Sequence, residues 1–211
     1  MSVKKPQALL FDLGGVLVDI DFGRALSAWA PHSSLSIDGL RQAFKFDLPY
    51  EQHERGEITA AAYFDHLASM LKLSATHAEI SNGWNSIFVG ELTQTRLIVE
   101  AMRALLPCHA FTNTNATHMA AWTRLFPGVV QAFDRIFASH EMGLRKPERA
   151  AFDHITRAIG VAAGDILFFD DLLENVNAAS EAGLQAVHVR SPADVTQALR
   201  AFHLALPPAA Q

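Results

Sequence analysis

The sequence predicts an α/β fold in which a doubly wound parallel sheet carries an inserted all-helical domain. Two observations predict it. Helical segments alternate with short apolar runs in the second half of the chain, and only helical patterns follow the first apolar run. The five runs are ALLF (8–11), HAFT (109–112), RIFA (135–138), ILFF (166–169) and AVHV (186–189).

The apolar runs predict strands that are buried on both faces. Each run is too short and too continuous for an amphipathic helix, which needs apolar residues spaced by three or four. Strands covered on both faces are typical of parallel sheets whose crossover helices pack on either side. Right-handed βαβ units in a Rossmann-like sheet are therefore expected.

The helices between the later runs have recognisable ends. In KPERAAFDHITRAIG, Pro147 predicts a helix start and Gly160 a helix end. LENVNAASEAG closes on Gly183, and SPADVTQALRAF places Ser191 at an N-cap with a proline directly behind it. These ends predict three of the helices that cover the sheet.

The interval 20–91 differs because no strand-like run interrupts its helical patterns. DFGRALSAWA, SIDGLRQAFKF, TAAAYFDHLASMLKL and THAEISNGWNSIF all carry apolar residues at helical spacing. Thr76 and Glu79 form a capping-box pattern at the start of the last of them. The predicted division is a core domain of residues 1–19 and 92–211 and a helical cap domain of residues 20–91.

Composition excludes several functional classes. The chain has 211 residues and a net charge of −5, without the basic runs that a nucleic-acid groove needs. Its lone Cys108 cannot form an internal disulfide, and no apolar stretch approaches a membrane span. We expect a cytoplasmic monomer or small homo-oligomer that binds neither nucleic acid nor membrane.

Polar side chains follow four of the five predicted strands. Ligands of open α/β sheets bind beyond the carboxyl ends of the strands, so these side chains are expected to meet. In chain order they are Asp12, Thr112 with Asn113, Lys146, and Asp170 with Asp171, followed by Asn175.

This set of side chains suits phosphoryl transfer. Clustered carboxylates favour a Mg²⁺ ion, which usually completes its shell with water and substrate phosphate. Lys146 adds a positive charge, and the Thr112 hydroxyl and Asn113 backbone amide can donate to phosphoryl oxygens. Asp12 would attack phosphorus in line and form an aspartyl-phosphate. The predicted partner is a small phosphorylated metabolite.

With these motifs the chain resembles phosphatases of the haloacid dehalogenase (HAD) superfamily that carry a helical cap of the C1 type. FDLGGVLVD, FTNTN, GLRKPE and FFDDLLEN match the four family motifs in order. The resemblance implies that Asp12 is the nucleophile, that Asp171 binds Mg²⁺ directly and that Asp170 acts through water or a neighbouring group. DIDF, QHERGEI and GWNSIF are similar to the bacterial α-glucose-1-phosphate phosphatase group.

Gly14 departs from the pattern of most family phosphatases, which have an acid two residues after the nucleophile. Glycine cannot protonate the leaving oxygen, although its carbonyl can still bind Mg²⁺ as the resemblance implies. Losing a general acid typically costs about 10²–10⁴-fold in rate. A leaving group that is stable as an anion, such as the anomeric hydroxyl of a hexose 1-phosphate, would make Gly14 tolerable. A water molecule or a cap group that relays the proton is the alternative.

The cap is expected to select the substrate. Its polar and aromatic candidates are His53, Glu54, Arg55, Trp84 and Asn85. Trp84 could stack on a sugar ring, with a place in the core of the cap as the alternative. His53 could equally be a capping or solvated histidine.

Three other functions stay open at this point. A mutase is one of them, although such transfers depend on the acid that Gly14 replaces. A metal-independent 2-haloacid dehalogenase also uses an aspartate nucleophile and does without the second acid, but it has no use for the pair Asp170 and Asp171. A catalytically silent member that binds a phosphorylated ligand or a partner would explain Gly14.

Overall fold

A computed structural model describes residues 4–204 of the chain. The five predicted strands form one parallel sheet, in which the strand that carries the first motif lies at the centre. In chain order the strands are β1 (Ala8–Phe11), β2 (Val18–Ile20), β3 (Phe88–Glu91), β4 (Cys108–Thr112), β5 (Arg135–Ala138), β6 (Ile166–Asp170) and β7 (Gln185–His188), and the sheet order is β5-β4-β1-β6-β7. The predicted fold class is confirmed.

Alternate residues of the central strand point into two separate apolar clusters. Leu9 and Phe11 belong to one cluster, and Ala8 and Leu10 belong to the other. Successive side chains of a strand point to opposite faces, so the sheet is buried on both sides, as the continuous apolar runs predict.

The helices pack on these faces or form the interval between β2 and β3. Their bounds are α1 (Phe22–Trp29), α2 (Ile37–Ala43), α3 (Leu48–Glu54), α4 (Ala60–Met70), α5 (His77–Asn85), α6 (Thr93–Arg103), α7 (Ala116–Leu125), α8 (Pro127–Gln131), α9 (Ser139–Met142), α10 (Arg149–Ile159), α11 (Leu173–Glu181) and α12 (Pro192–Ala201). The capping box of Thr76 and Glu79 is present at the start of α5.

Two helix predictions need correction. Pro147 does not start a helix, because α10 begins at Arg149 with Glu148 as its N-cap. The helix α3 was not predicted, although Asp47 caps it by accepting a hydrogen bond from the backbone N–H of Tyr50. Its large apolar residues, Leu48 and Tyr50, both lie in the first turn, so no apolar spacing of three or four marks the helix in the sequence.

The expectation that no strand interrupts residues 20–91 is wrong. β3 pairs antiparallel with β2 in a two-stranded ribbon, which connects the sheet domain to the helical interval. The segment GWNSIF is helical only as far as Asn85. The ribbon was missed because two strands of three and four residues are too short for an alternating pattern.

A third apolar cluster lies wholly within the helical interval. It is built around Trp29, Tyr63 and Trp84, which are all fully buried. Such a cluster is what an inserted cap needs in order to fold around its own core. The domain boundaries stay a prediction, and residues 1–3 and 205–211 lie outside the described part.

None of the helices within residues 4–204 is long and apolar enough to cross a membrane.

Candidate active site

The sheet order brings the predicted strand-end residues together. Asp12 directly follows the central strand β1, while Thr112 ends β4 and Asp170 ends β6 on either side of it. All three strands run parallel, so these residues meet at one edge of the sheet. Thr112, which is buried, and the half-buried Asn113 line the same cavity as Asp12.

Lys146 is buried between two of the carboxylates. Its Nζ lies 2.7 Å from Oδ1 of Asp12 and 2.7 Å from Oδ2 of Asp170, and it donates to the carbonyl oxygen of Phe111 at 3.0 Å. The three contacts satisfy an ammonium group that is only 1% exposed. Lys146 is therefore fixed beside Asp12 rather than solvated.

The side chain of Asn113 fixes the backbone of Lys146. Its amide group donates to the Lys146 carbonyl at 2.9 Å, and its Oδ1 accepts from the Lys146 N–H at 2.8 Å. The sequence assigns Asn113 a role only through its own backbone amide. The structure adds that this residue joins the end of β4 to the loop that carries the lysine.

Asp12, Asp170 and Asp171 form a cluster that can hold a metal ion. Each offers a carboxylate oxygen, and these oxygens all lie within 4.8 Å of one another. The cluster fits a hard divalent cation, because three carboxylates at this separation repel one another unless positive charge lies between them.

The two acids at the end of β6 differ in what they can do. Asp170 is fully buried, and its oxygens bond to Lys146, to the backbone N–H of Leu172 at 2.8 Å and to the Asn175 amide at 2.9 Å. Its oxygens are thus engaged by protein donors. Asp171 is half-buried and lines the cavity, which leaves it the better direct ligand.

Burial dominates the electrostatics of the site. Burial raises the pKa of Asp12; Lys146 opposes this shift, whereas Asp170 and Asp171 add to it. Burial and Asp170 likewise raise the pKa of Asp171. For Lys146 burial lowers the pKa, but Asp12 and Asp170 outweigh it, so the pKa lies above its usual value. A divalent cation would favour the ionised carboxylates.

The two glycines after Leu13 are not equivalent. Gly15 has φ +70°, and a Cβ there would lie 2.3 Å from Oδ2 of Asp171. A side chain would therefore displace the candidate metal ligand. Gly14 lines the cavity, and a Cβ there would meet Cδ1 and Cγ1 of the Ile20 side chain, at 3.1 and 3.9 Å. Gly15 is required by space and backbone conformation, whereas Gly14 is not.

The cavity beside these residues has a volume of about 670 Å³ and lies between the sheet edge and the helical interval. Of the five predicted cap candidates, Glu54 alone lines it. Arg55 does not line the cavity, but it forms a salt bridge of 2.8 Å with Glu148, which does.

The other cap candidates lie elsewhere. Trp84 is fully buried and stacks between Trp29 and His118, with ring centroids 6.0 Å and 4.5 Å away. Its large apolar surface serves the core of the cap. His53 is also buried and faces a separate cavity together with His140. Asn85 lies outside the lining of both cavities.

The sequence reading missed several residues that line the cavity. Arg145 donates to Glu54 at 2.8 Å, and Tyr50 donates to the other oxygen of the same carboxylate at 2.8 Å. Phe22 and Phe46 contribute apolar wall. No local signal marks Phe46 as a cavity residue, because its stretch KFDLPY mixes charged and apolar residues without a helical or alternating period.

Comparison with known proteins identifies the family. Residues 6–183 match the description of haloacid dehalogenase-like hydrolases. The chain belongs to this family. The predicted resemblance is confirmed at the level of the superfamily, while nothing adds support for the α-glucose-1-phosphate phosphatase group in particular.

Two curated relatives that match this HAD-like chain over most of its length are phosphatases. A sesquiterpene phosphatase of Aspergillus oryzae is 28% identical over 87% of the chain and 89% of its own length. A D-ribitol-5-phosphate phosphatase of Bacteroides thetaiotaomicron is 24% identical over 90% of the chain and 95% of its own length. The predicted enzyme class, a phosphoric monoester hydrolase, is thereby confirmed.

A solved structure has a similar fold over nearly the whole chain. It is a HAD family enzyme from Bacteroides thetaiotaomicron in complex with magnesium, with a TM-score of 0.81 and 28% identity, over 93% of this chain and all of that one. The same enzyme has also been solved with magnesium and inorganic phosphate.

Proposed function

We propose that this HAD-like phosphatase hydrolyses a small phosphorylated metabolite in a Mg²⁺-dependent reaction through an aspartyl-phosphate on Asp12. The observation that carries the proposal is the convergence of Asp12, Lys146, Thr112 and Asp171 on one end of one cavity. The magnesium complex of the Bacteroides enzyme supports the choice of metal.

Asp12 is the proposed nucleophile. One of its oxygens contacts Lys146, and the other is left to attack phosphorus in line. The bond from Asp12 to phosphorus forms as the bond to the leaving oxygen breaks, and that oxygen takes a proton from solvent because Gly14 has no side chain to supply one. Water then attacks the aspartyl-phosphate, which releases phosphate and restores the carboxylate.

The phosphoryl oxygens are proposed to meet positive charge and hydrogen-bond donors. Lys146 stabilises the charge that they carry in the transition state, and the Thr112 hydroxyl and Asn113 backbone amide donate to them. Asp12, Asp171 and the Gly14 carbonyl would hold Mg²⁺, with Asp170 and Asn175 supporting them from behind. When bound, the ion supplies further neutralisation of the phosphoryl charge.

The motifs and the two relatives favour different leaving groups. A hexose 1-phosphate is the prediction from the motifs and Gly14, and the ribitol-5-phosphate relative supports a polyol or sugar phosphate. The sesquiterpene relative supports an apolar alcohol instead. Rates for glucose 1-phosphate and glucose 6-phosphate test the Gly14 argument, because a preference for the 6-phosphate contradicts it.

A metal titration with p-nitrophenyl phosphate tests the proposed chemistry. Release of p-nitrophenol should require Mg²⁺ and be abolished by Asp12→Asn, while Asp19→Asn, an exposed acid on β2, should behave as the wild type. Chloride release from 2-chloropropionate without metal would instead support the dehalogenase. Absence of both reactions would support the silent member.

The predicted cytoplasmic location and the monomeric or small homo-oligomeric state remain proposals. Cell fractionation and light scattering of the purified chain check them.

A further inference from the structure

The cavity extends from the candidate phosphate site along an apolar wall. The phosphate end is formed by Asp12, Lys146 and their neighbours, whereas the remainder of the lining includes Ile20, Phe22, Phe46, Ile87, Phe88 and Leu172. These side chains come from the ribbon, the cap and the loop after Asp171, so apolar surface faces the cavity from several directions.

Two of these side chains are exposed far more than their apolar character favours. Phe46 is 59% exposed, and Leu172 is 55% exposed. Both line the same cavity, and apolar side chains in the lining of a ligand cavity favour an apolar ligand group. The same cavity also contains the candidate phosphate site, so a group attached to the bound phosphate would lie against these apolar side chains.

Aromatic rings hold Phe46 in place. Its ring makes edge-on contacts with Phe22, Phe44 and Tyr50, at centroid distances of 5.2, 5.3 and 4.9 Å. A ring supported on three sides presents a preformed apolar surface, so covering it requires little loss of side-chain entropy.

Most of the polar side chains that line the cavity away from the candidate phosphate site are engaged with protein partners. Glu54 accepts from both Tyr50 and Arg145, and Arg145 also lies 3.4 Å from Glu51. Both ring nitrogens of His118 have protein partners as well. Hydroxyl groups of a sugar or polyol would have to compete with these bonds, whereas an apolar group would not.

We propose that the leaving group of the substrate is apolar, an alkyl, isoprenoid or aryl group that packs against Phe46, Phe22 and Leu172. The inference rests on the proposed function, since it takes the phosphoryl group to lie against Asp12 and Lys146. The cavity volume of about 670 Å³ falls within the range of about 300–1,000 Å³ for pockets that bury small organic ligands.

The test compares substrates whose leaving groups have similar reactivity. Pentyl phosphate and D-ribitol 5-phosphate share a five-carbon chain and a primary ester, so they differ in the hydroxyl groups alone. We expect kcat/KM to be at least about tenfold higher for pentyl phosphate. From ethyl to octyl phosphate, kcat/KM should rise about two- to fourfold for each added methylene, as burial of apolar surface predicts.

A matched pair of variants locates the apolar surface. Phe46→Ser should reduce the increase of kcat/KM with alkyl chain length, whereas Leu48→Ser should leave that increase unchanged. Leu48 is 61% exposed and two residues away, but it does not line the cavity. Both side chains are exposed, so neither change removes a buried group.

Acetyl phosphate and alkylphosphonates separate the two proposals. Mg²⁺-dependent hydrolysis of acetyl phosphate, combined with a flat alkyl series or a faster ribitol 5-phosphate, overturns the apolar leaving group and leaves the phosphatase standing. If no phosphate ester is hydrolysed, the proposed function fails. Calorimetric binding of ethyl- to octylphosphonate then decides the apolar surface: affinity that rises with chain length supports it, and constant affinity overturns it.

Discussion

The ammonium nitrogen of Lys146 lies 2.7 Å from the carboxylate of Asp12, although the two residues are 134 positions apart and both are buried. The same nitrogen contacts Asp170, so one cation lies between the ends of two neighbouring strands. This contact places positive charge directly beside the candidate nucleophile and holds the site in shape before any ligand binds.

Removing the Lys146 charge should abolish most of the activity. Lys146→Met is expected to lower kcat by about 10²–10³-fold, because the phosphoryl oxygens lose their fixed cation. Steady-state kinetics at saturating Mg²⁺ measure the change, with circular dichroism to show that the variant folds. Lys45→Met, which changes an exposed lysine on the cap, is the control. A folded Lys146→Met enzyme with unchanged kcat would contradict the assignment.

Restoring an acid at Gly14 should help poor leaving groups selectively. A Cβ at this position meets only the flexible end of Ile20, so Gly14→Asp can be accommodated. We expect the rate for an alkyl phosphate to rise by about 10²-fold or more, and that for p-nitrophenyl phosphate to change little, since general acid catalysis matters most for basic leaving groups. Gly14→Ala separates the carboxyl from the added volume. If Gly14→Asp changes the rates for the alkyl phosphate and p-nitrophenyl phosphate equally, the new carboxyl group does not act as a general acid.

Gly15→Ala should weaken metal binding as well as the fold. The positive φ of this residue costs a non-glycine residue about 1–2 kcal/mol, and the added methyl group would press against Asp171. We expect a lower unfolding temperature and a higher Mg²⁺ concentration for half-maximal activity. Gly90→Ala is the matched control, because nothing lies within 4 Å of a Cβ there. A Gly15→Ala enzyme with wild-type Mg²⁺ dependence would show that Asp171 is not a ligand.

Acid should destabilise the protein through buried histidines. Burial lowers the pKa of His118 to about 3, so this side chain stays neutral in the folded state when the pH falls below 6.5. In the unfolded chain the same histidine takes up a proton below pH 6.5, which favours the unfolded state. The free energy of unfolding therefore falls with the pH, by about 2 kcal/mol between pH 7 and 5 for His118 alone. Urea unfolding at the two pH values measures it.

His118→Gln should remove this contribution to the change in the free energy of unfolding between pH 7 and 5. The expectation concerns the difference between the two pH values and is independent of how stable the variant is at pH 7. Glutamine can still bond to Asn115 and to the Trp84 carbonyl, the two partners of His118. If His118→Gln loses as much unfolding free energy between pH 7 and 5 as the wild type, His118 is not the source of the acid sensitivity.

The sheet and the residues at its edge were predictable because both depend on short-range patterns. A continuous apolar run predicts a buried strand, and the side chain directly after it, as with Asp12, must lie at the edge of a parallel sheet. Four such ends limit the chemistry strongly even before the sheet order is known.

The cap side of the site was less predictable because it depends on packing between helices. Trp84 and Phe46 are both aromatic residues of the cap, yet the first is fully buried and the second is 59% exposed at the cavity. Nothing in the local sequence distinguishes them, since the difference arises from which face of the helical interval turns toward the sheet. The ribbon of β2 and β3 was missed for a similar reason, because its strands are defined by pairing rather than by pattern.

Acid quenching during turnover, followed by mass spectrometry of the peptide that contains Asp12, detects a covalent phosphoryl group on this carboxylate. With Mg²⁺ and p-nitrophenyl phosphate, a phosphoryl group should appear on Asp12, and it should accumulate because Gly14 supplies no base to activate the water that removes it. The peptide from Asp12→Asn should carry none. Sustained Mg²⁺-dependent turnover by Asp12→Asn, or a phosphoryl group bound to another residue, would show that Asp12 is not the nucleophile.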